Sequence, residues 1–154
     1  QIRQEYGEGP LTVAGVLIGS VVLLADVIRR LDMPLRVELI QARSYRGASA
    51  QPGRLDINTD LLSGDIAGRH VLLLDDIFDT GQTLWKLVPQ LEALGPASLR
   101  SAVLLRKEGR CRVPVQPDFV AFDIPNEFVV GYGLDYNDLH RNLPHIAVLE
   151  SADF

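Results

Sequence analysis

Cys111 is the only cysteine in the 154 residues, so no disulfide can form within the chain and a reducing, cytoplasmic setting is expected. Met33 is likewise the only methionine, which leaves room for a native segment ahead of Gln1. A basic surplus is missing too: 15 Lys and Arg stand against 20 Asp and Glu, a net charge of -5. A binder of the nucleic-acid phosphate backbone would show the opposite balance, so no nucleic-acid partner is expected. A local basic pocket for a small phosphorylated molecule stays open. Gly9 to Ala25 carries no charge, but Pro10, Thr12, Gly15, Gly19 and Ser20 interrupt it, and its length is at the lower limit of a membrane span. It reads instead as a buried strand to about Ile18, a tight turn, and a helix to about Leu31. Internal repeats and low-complexity stretches are absent, and the length suits one domain with a real core.

What is present is an alternation of strands and helices. The pattern predicts strands over 12–18, 35–41, 54–58, 70–75 and 99–105, helices over 20–31 and 82–94, and a loop over 42–53. Leu84, Leu87, Val88, Leu91 and Leu94 recur at helical spacing as one apolar stripe, and Gly95-Pro96 supplies the stop. Val71–Leu74 and Ala102–Leu105 are apolar without alternation, as strands covered on both faces are. The expected class is therefore α/β, a mostly parallel central sheet with helices on both faces. From Phe119 to Leu149 the chain is broken by Pro125, Gly131, Gly133 and Pro144. That stretch reads as a small accessory lobe over the carboxyl ends of the strands, where open α/β sheets bind ligands.

The most informative segment is "VLLLDDIFDTGQTL", Val71 to Leu84, which sets Asp75, Asp76 and Asp79 together after a buried strand. Like charges this close repel unless something compensates them. Asp79 and Thr80 as helix caps explain one aspartate and leave the other two without a role. The metal-holding strand of a nucleotide hydrolase needs a glycine-rich loop ending in Gly-Lys-Ser/Thr, which this chain lacks. The aspartic-protease triplet needs a second copy of Asp-Thr-Gly, also missing. A phosphorylated ribose uses all the parts. Backbone N–H groups of Thr80, Gly81, Gln82 and Thr83 at a helix start cradle its phosphate. Asp75 and Asp76 accept from the two ribose hydroxyls, and Asp79 can take a proton from a nitrogen nucleophile.

The segment resembles the phosphoribosyl-pyrophosphate motif of the type I phosphoribosyltransferases. "GVLIGS", "RSYRG", "VLLRKEG", "PDFVAFDIPNEFVVGYGLDYN" and "RNLP" follow the order and approximate spacing of the hypoxanthine-guanine phosphoribosyltransferase family over about residues 10 to 150. The acidic motif identifies only the superfamily, whereas "EFVVGYGLDY" is far more specific. The resemblance implies a type I phosphoribosyltransferase fold, one domain over 1–154 with a core of about 11–122. A hood of about 123–154 is joined by the N-terminal segment. It implies purine salvage: phosphoribose passes from phosphoribosyl pyrophosphate to hypoxanthine or guanine, giving IMP or GMP. It also implies Mg2+ as cofactor and a homo-oligomer, dimer or tetramer.

Roles carry over residue by residue. Phe128 stacks on the base, the Val129 backbone reads its Watson–Crick edge, and Asp135 binds magnesium beside the purine, with Asp75 and Asp76 as further metal contacts. Taken alone, Phe128-Val129-Val130 is also an ordinary buried strand. Lys107 donates to the exocyclic oxygen of a 6-oxopurine, against the plainer reading of a solvated lysine next to Arg106. Arg141 clamps pyrophosphate, a task that suits guanidinium, against the plainer reading of a surface charge. Ile18 and Gly19 stand in the pyrophosphate loop, where the family often has a non-proline cis peptide; Ile18 departs from the frequent lysine there. Ser44 and Tyr45 begin a lid that excludes water from the reaction centre, and Pro52 is unusual within it. A regulatory, RNA-binding relative of the same fold is the alternative function. It needs a basic surface that a charge of -5 does not provide.

Overall fold

The side chains of strand β4 (His70–Phe78) explain the layering of the molecule. Val71 and Leu73 are fully buried on one face of the sheet among Leu84, Leu87 and Leu91 of helix α3 (Gln82–Glu92). Leu72 and Leu74 are buried on the other face with Leu24, Val27 and Ile28 of helix α2 (Val21–Arg30). A strand sandwiched between two helices has no solvated face, which is why its sequence is an unbroken apolar run. Truncating one of these leucines to alanine removes both transfer energy and packing, about 2–5 kcal/mol.

The computed structural model describes residues 2–7, 9–44, 55–58 and 65–149. The remaining elements are α1 (Ile2–Tyr6), β1 (Leu11–Leu17), β2 (Leu35–Ser44), β3 (Leu55–Asn58), β5 (Ser98–Lys107), β6 (Phe119–Ile124), β7 (Val129–Val130) and β8 (Ala147–Val148). The sheet order is β3-β2-β1-β4-β5-β6, with β3 antiparallel to β2 and every other neighbouring pair parallel. This bears out the expected class. From β1 the chain crosses over through α2 to β2 on one side; from β4 it crosses through α3 to β5 on the other. The adjacent carboxyl ends of β1 and β4 therefore flank a switch point, where loops diverge and leave a crevice.

The uncharged stretch does resolve into strand, turn and helix, and among the described residues no helix is long and apolar enough to cross a membrane. Three expectations need correction. Strand β4 runs to Phe78 rather than ending at Asp75, so Asp76 is a strand residue rather than a loop residue; pairing of Ile77 with Leu105 and Phe78 with Arg106 on β5 extends it. Helix α3 ends at Glu92, two residues early, and Leu94 leaves the apolar stripe to lie 48% exposed. Phe119–Ile124 joins the main sheet as edge strand β6, so the accessory part starts beyond Ile124. A short α1 precedes β1, and its Ile2 and Tyr6 pack in the core with Leu11 and Leu72.

Beyond Ile124 the chain folds into tight turns stitched by the β7–β8 pair, Val129 opposite Val148 and Val130 opposite Ala147. Tyr132 donates from its hydroxyl to Asp26 on α2, tying this part to the body of the molecule.

Candidate active site

Continuing the alternation of β4 past Leu74 sends Asp75 and Asp76 to opposite faces at the mouth of the crevice. Asp75 is buried at 6% exposure and Asp76 is half-buried. The Asp76 N–H donates to Asp75 Oδ1 at 3.1 Å, and the Ile77 N–H donates to Asp76 Oδ1 at 2.8 Å. Burial, then the negative charge of Asp76, pushes the Asp75 carboxyl well above the usual carboxylate range. Burial raises Asp76 as well, while the hydrogen bond with Asp75 opposes the rise. A buried and a half-buried acid placed side by side make a site that suits a polyhydroxyl or cationic ligand.

Gly19, in the turn between β1 and α2, lies directly against this pair. A methyl group added there would come within 1.6 Å of Asp76 Oδ2. The Gly19 carbonyl in turn abuts Gly133, where an added methyl would stand 2.0 Å from it. Three chain segments distant in sequence thus converge on one spot. The Leu17–Ile18 peptide is cis, and the Ile18 side chain is 53% exposed. Arg141 donates from Nη1 to the Gly133 carbonyl at 2.8 Å and pairs through Nη2 with Asp135 at 2.8 Å and Asp138 at 3.2 Å. Its positive charge reaches Asp76, which it favours in the ionised form.

After β4 the chain turns through Asp79 and Thr80 into α3. Gly81 is the N-cap with φ 82, and no side chain caps the helix, so Asp79 and Thr80 are not simple caps. A side chain at Gly81 would strike Val113 Cγ2 at 2.5 Å and Phe78 Cζ at 2.9 Å. The first amides of the helix, at Gln82 and Thr83, have no intrahelical acceptor and give the turn a positive end. Asp79 itself faces cations: Arg110 Nε donates to its Oδ1 at 2.8 Å, and Lys107 Nζ lies 3.8 Å from its Oδ2. Lys107 closes β5 with its side chain 11% exposed, 5.8 Å above the centroid of the Phe128 ring. Phe128 meets Tyr136 edge-on at 5.5 Å and 86°. Val129 is buried in β7, and the Phe128 carbonyl accepts from the Leu149 N–H at 2.8 Å.

The predicted residues therefore fall into two adjoining groups. Gly19, Asp75, Asp76, Asp135 and Arg141 surround the crevice mouth, while Asp79, Lys107 and Phe128 are linked by contact beside it, with Val129 next to Phe128 in the chain. Thr80 to Thr83 lie between. Ser44 ends β2, and Tyr45 with the rest of the expected lid lies outside the described residues. Sequence reasoning missed Arg110, Tyr136 and Gly133. The last two stand inside the recognisable "EFVVGYGLDY" run; Arg110 sits in an irregular loop with no periodic signal.

Among the described residues no three His, Cys, Asp or Glu side chains form a ready metal cage. Magnesium is usually held by one or two carboxylates completed by substrate phosphates and water. The Asp75–Asp76 pair and Asp135 are a donor set of that kind, so these residues fit the ion.

The phosphoribosyl transferase domain family matches residues 1–137. The hypoxanthine-guanine phosphoribosyltransferase of Streptococcus pneumoniae (strain ATCC BAA-255 / R6) is 43% identical over 152 residues, 97% of this chain and 83% of that protein. The hypoxanthine phosphoribosyltransferase of Haemophilus influenzae is 44% identical over 149 residues, 95% of this chain and 83% of its own. Among solved structures, a Staphylococcus aureus hypoxanthine phosphoribosyltransferase superposes with TM-score 0.90 at 37% identity, covering 99% of this chain and 82% of that one. A point mutant of the Trypanosoma cruzi enzyme complexed with the product IMP gives TM-score 0.88 at 40% identity, covering 98% and 81%. The chain belongs to the phosphoribosyltransferase family, in its hypoxanthine-guanine branch.

Proposed function

We propose that this chain transfers phosphoribose from phosphoribosyl pyrophosphate to N9 of hypoxanthine or guanine, releasing pyrophosphate and forming IMP or GMP. The observation that carries this reading is the pair Lys107 and Asp79, a donor and an acceptor 3.8 Å apart beside an aromatic face. O6 and N7 of a 6-oxopurine lie side by side on one edge of the base. Lys107 Nζ donates to O6 while Asp79 Oδ2 accepts from N7–H, with the base lying against Phe128. Stacking of that type is worth roughly 1–3 kcal/mol per base.

As N9 bonds to the anomeric carbon, the bond from that carbon to pyrophosphate breaks and the N7 proton passes to Asp79. A positioned carboxylate contributes about 10²–10⁴-fold in such a step. Positive charge grows on the sugar ring as the leaving group departs, and Asp75 and Asp76 offer negative charge under it while accepting from the ribose hydroxyls. The amides from Thr80 to Thr83 receive the 5′-phosphate at the positive end of α3. The amide of Gly19 and the guanidinium of Arg141 receive the pyrophosphate, so that nucleophile, ring and leaving group are held in line. Asp75, Asp76 and Asp135 would hold Mg2+ brought in with the substrate. When bound, the ion neutralises the leaving pyrophosphate. Ser44 and Tyr45 begin the segment assigned to covering the site.

The test is product analysis with phosphoribosyl pyrophosphate, magnesium and each purine in turn. IMP from hypoxanthine or GMP from guanine, with one pyrophosphate per nucleotide, is expected; free purine recovered unchanged in both reactions overturns the reading.

A further inference from the structure

The loop between β5 and β6 is fastened to the turn after β4 at three points. Arg110 Nε donates to Asp79 Oδ1 at 2.8 Å, the Arg112 N–H donates to the Thr80 carbonyl at 3.0 Å, and Val113 packs over Gly81. The loop has its own anchor, since the Glu108 N–H donates to the Ile124 carbonyl at 3.0 Å. It is therefore a fixed strut rather than a loose cover. Its one charged contact with the turn falls on Asp79.

A carboxylate has two equivalent oxygens and can rotate, so a general base on a turn needs something to choose which oxygen works. Arg110 binds one oxygen only. Its guanidinium keeps its protons throughout the pH range of proteins, so it neither takes the substrate proton nor gives one up. Lys107, at 3.8 Å, stands near Oδ2 without the distance of a hydrogen bond to it. Oδ2 is the oxygen left on the side of Lys107, whose ammonium lies over the Phe128 ring.

We infer that Arg110 is a positioning residue for proton transfer, holding Asp79 by Oδ1 so that Oδ2 faces N7 of the base bound by Lys107. This rests on the reading of Asp79 as the base. Arg110 acts through Asp79 and needs no contact with purine or sugar. Its loss should lower kcat through misplacement of the acceptor and leave the binding of phosphoribosyl pyrophosphate nearly unchanged.

The experiment is a double-mutant cycle in the full chain with hypoxanthine, phosphoribosyl pyrophosphate and magnesium. Arg110→Gln should lower kcat roughly 10–100-fold, as displacements of about an ångström do, with KM for phosphoribosyl pyrophosphate changed less than about threefold. Arg110→Lys should recover part of the loss. In an Asp79→Asn background, itself slowed about 10²–10⁴-fold, Arg110→Gln should cost no more than about twofold further, the signature of residues acting as a unit. Turnover of Arg110→Gln equal to wild type overturns the inference and leaves the base assignment intact. An equal loss in both backgrounds also overturns it, because Arg110 then acts independently of Asp79. Wild-type turnover in Asp79→Asn removes the base assignment and this inference together. If melting curves show Arg110→Gln unfolded, Arg110→Lys carries the same cycle with a smaller expected loss.

Discussion

Alanine at Gly19 is the most sharply defined perturbation of the crevice. Gly19 is not among the glycines with positive φ, so its backbone accepts an alanine and the obstacle is space alone. The added methyl carbon would stand 1.6 Å from Asp76 Oδ2 and 2.6 Å from its Cγ, where ordinary contact begins at 3.4 Å. The gap must therefore open by 1.8 Å, the difference between 3.4 and 1.6. Asp76 can swing away, which sacrifices its 2.8 Å bond from the Ile77 N–H and the position from which it is proposed to meet the ribose. Otherwise the 18–20 turn shifts, and the Gly19 carbonyl is already against Gly133. Both routes move a substrate-facing group by more than an ångström. Misplacement by about 1 Å costs about 10²-fold, so Gly19→Ala should lose about 10²–10³-fold in kcat/KM. Melting temperature should fall little, because Gly19 lies outside the core clusters. Steady-state IMP formation, thermal melting and calorimetric titration of phosphoribosyl pyrophosphate measure the three effects. Activity within about threefold of wild type, with unchanged affinity, would refute the claim that this close approach shapes the site.

Two further perturbations address the charges. Burial and the neighbouring Asp76 raise Asp75 above its ordinary value of 3.8, so the folded state binds its proton more tightly than the unfolded one. Stability from this group is present below that ordinary value and is lost as pH climbs through the raised one. Asp75→Asn should therefore flatten the decline in melting temperature between acid and neutral pH while reducing activity; parallel pH curves for the two proteins would contradict this. Removing magnesium with a chelator should weaken phosphoribosyl-pyrophosphate binding strongly, since the pyrophosphate approaches Asp75, Asp76 and Asp135 with like charge. Equal calorimetric affinity in chelator would refute it.

The middle of the fold was legible because local and tertiary signals agree there. The Val71–Leu74 run and the Leu84, Leu87, Leu91 stripe are each what a doubly covered strand and its helix require. The end of β4 was not legible past Asp75, because a second aspartate directly after the first looks like the start of a loop. Only pairing with β5, 28 residues onward from Ile77 to Leu105, carries the strand beyond it. β6 escaped notice for the opposite reason: as an edge strand it leaves Phe122 61% exposed and shows no buried run. In the site, Asp79 and Lys107 meet because Asp79 directly follows β4 and Lys107 ends the neighbouring β5. The Arg110 contact depends on an irregular loop path, and no spacing rule reports it.

The central claim is that Lys107 and Asp79 together read the O6 and N7 edge of the base, and purine discrimination tests it most directly. Ammonium only donates, so it suits the oxygen of hypoxanthine and has nothing to accept from the amino group of adenine. A site built on such a bond discriminates by about 10⁴–10⁵. An amide both donates and accepts, so Lys107→Gln should lower kcat/KM for hypoxanthine and narrow the gap to adenine. The measurement is the hypoxanthine-to-adenine ratio of kcat/KM in wild type and Lys107→Gln. The account predicts a ratio that falls steeply in the variant; a ratio that does not change would contradict it.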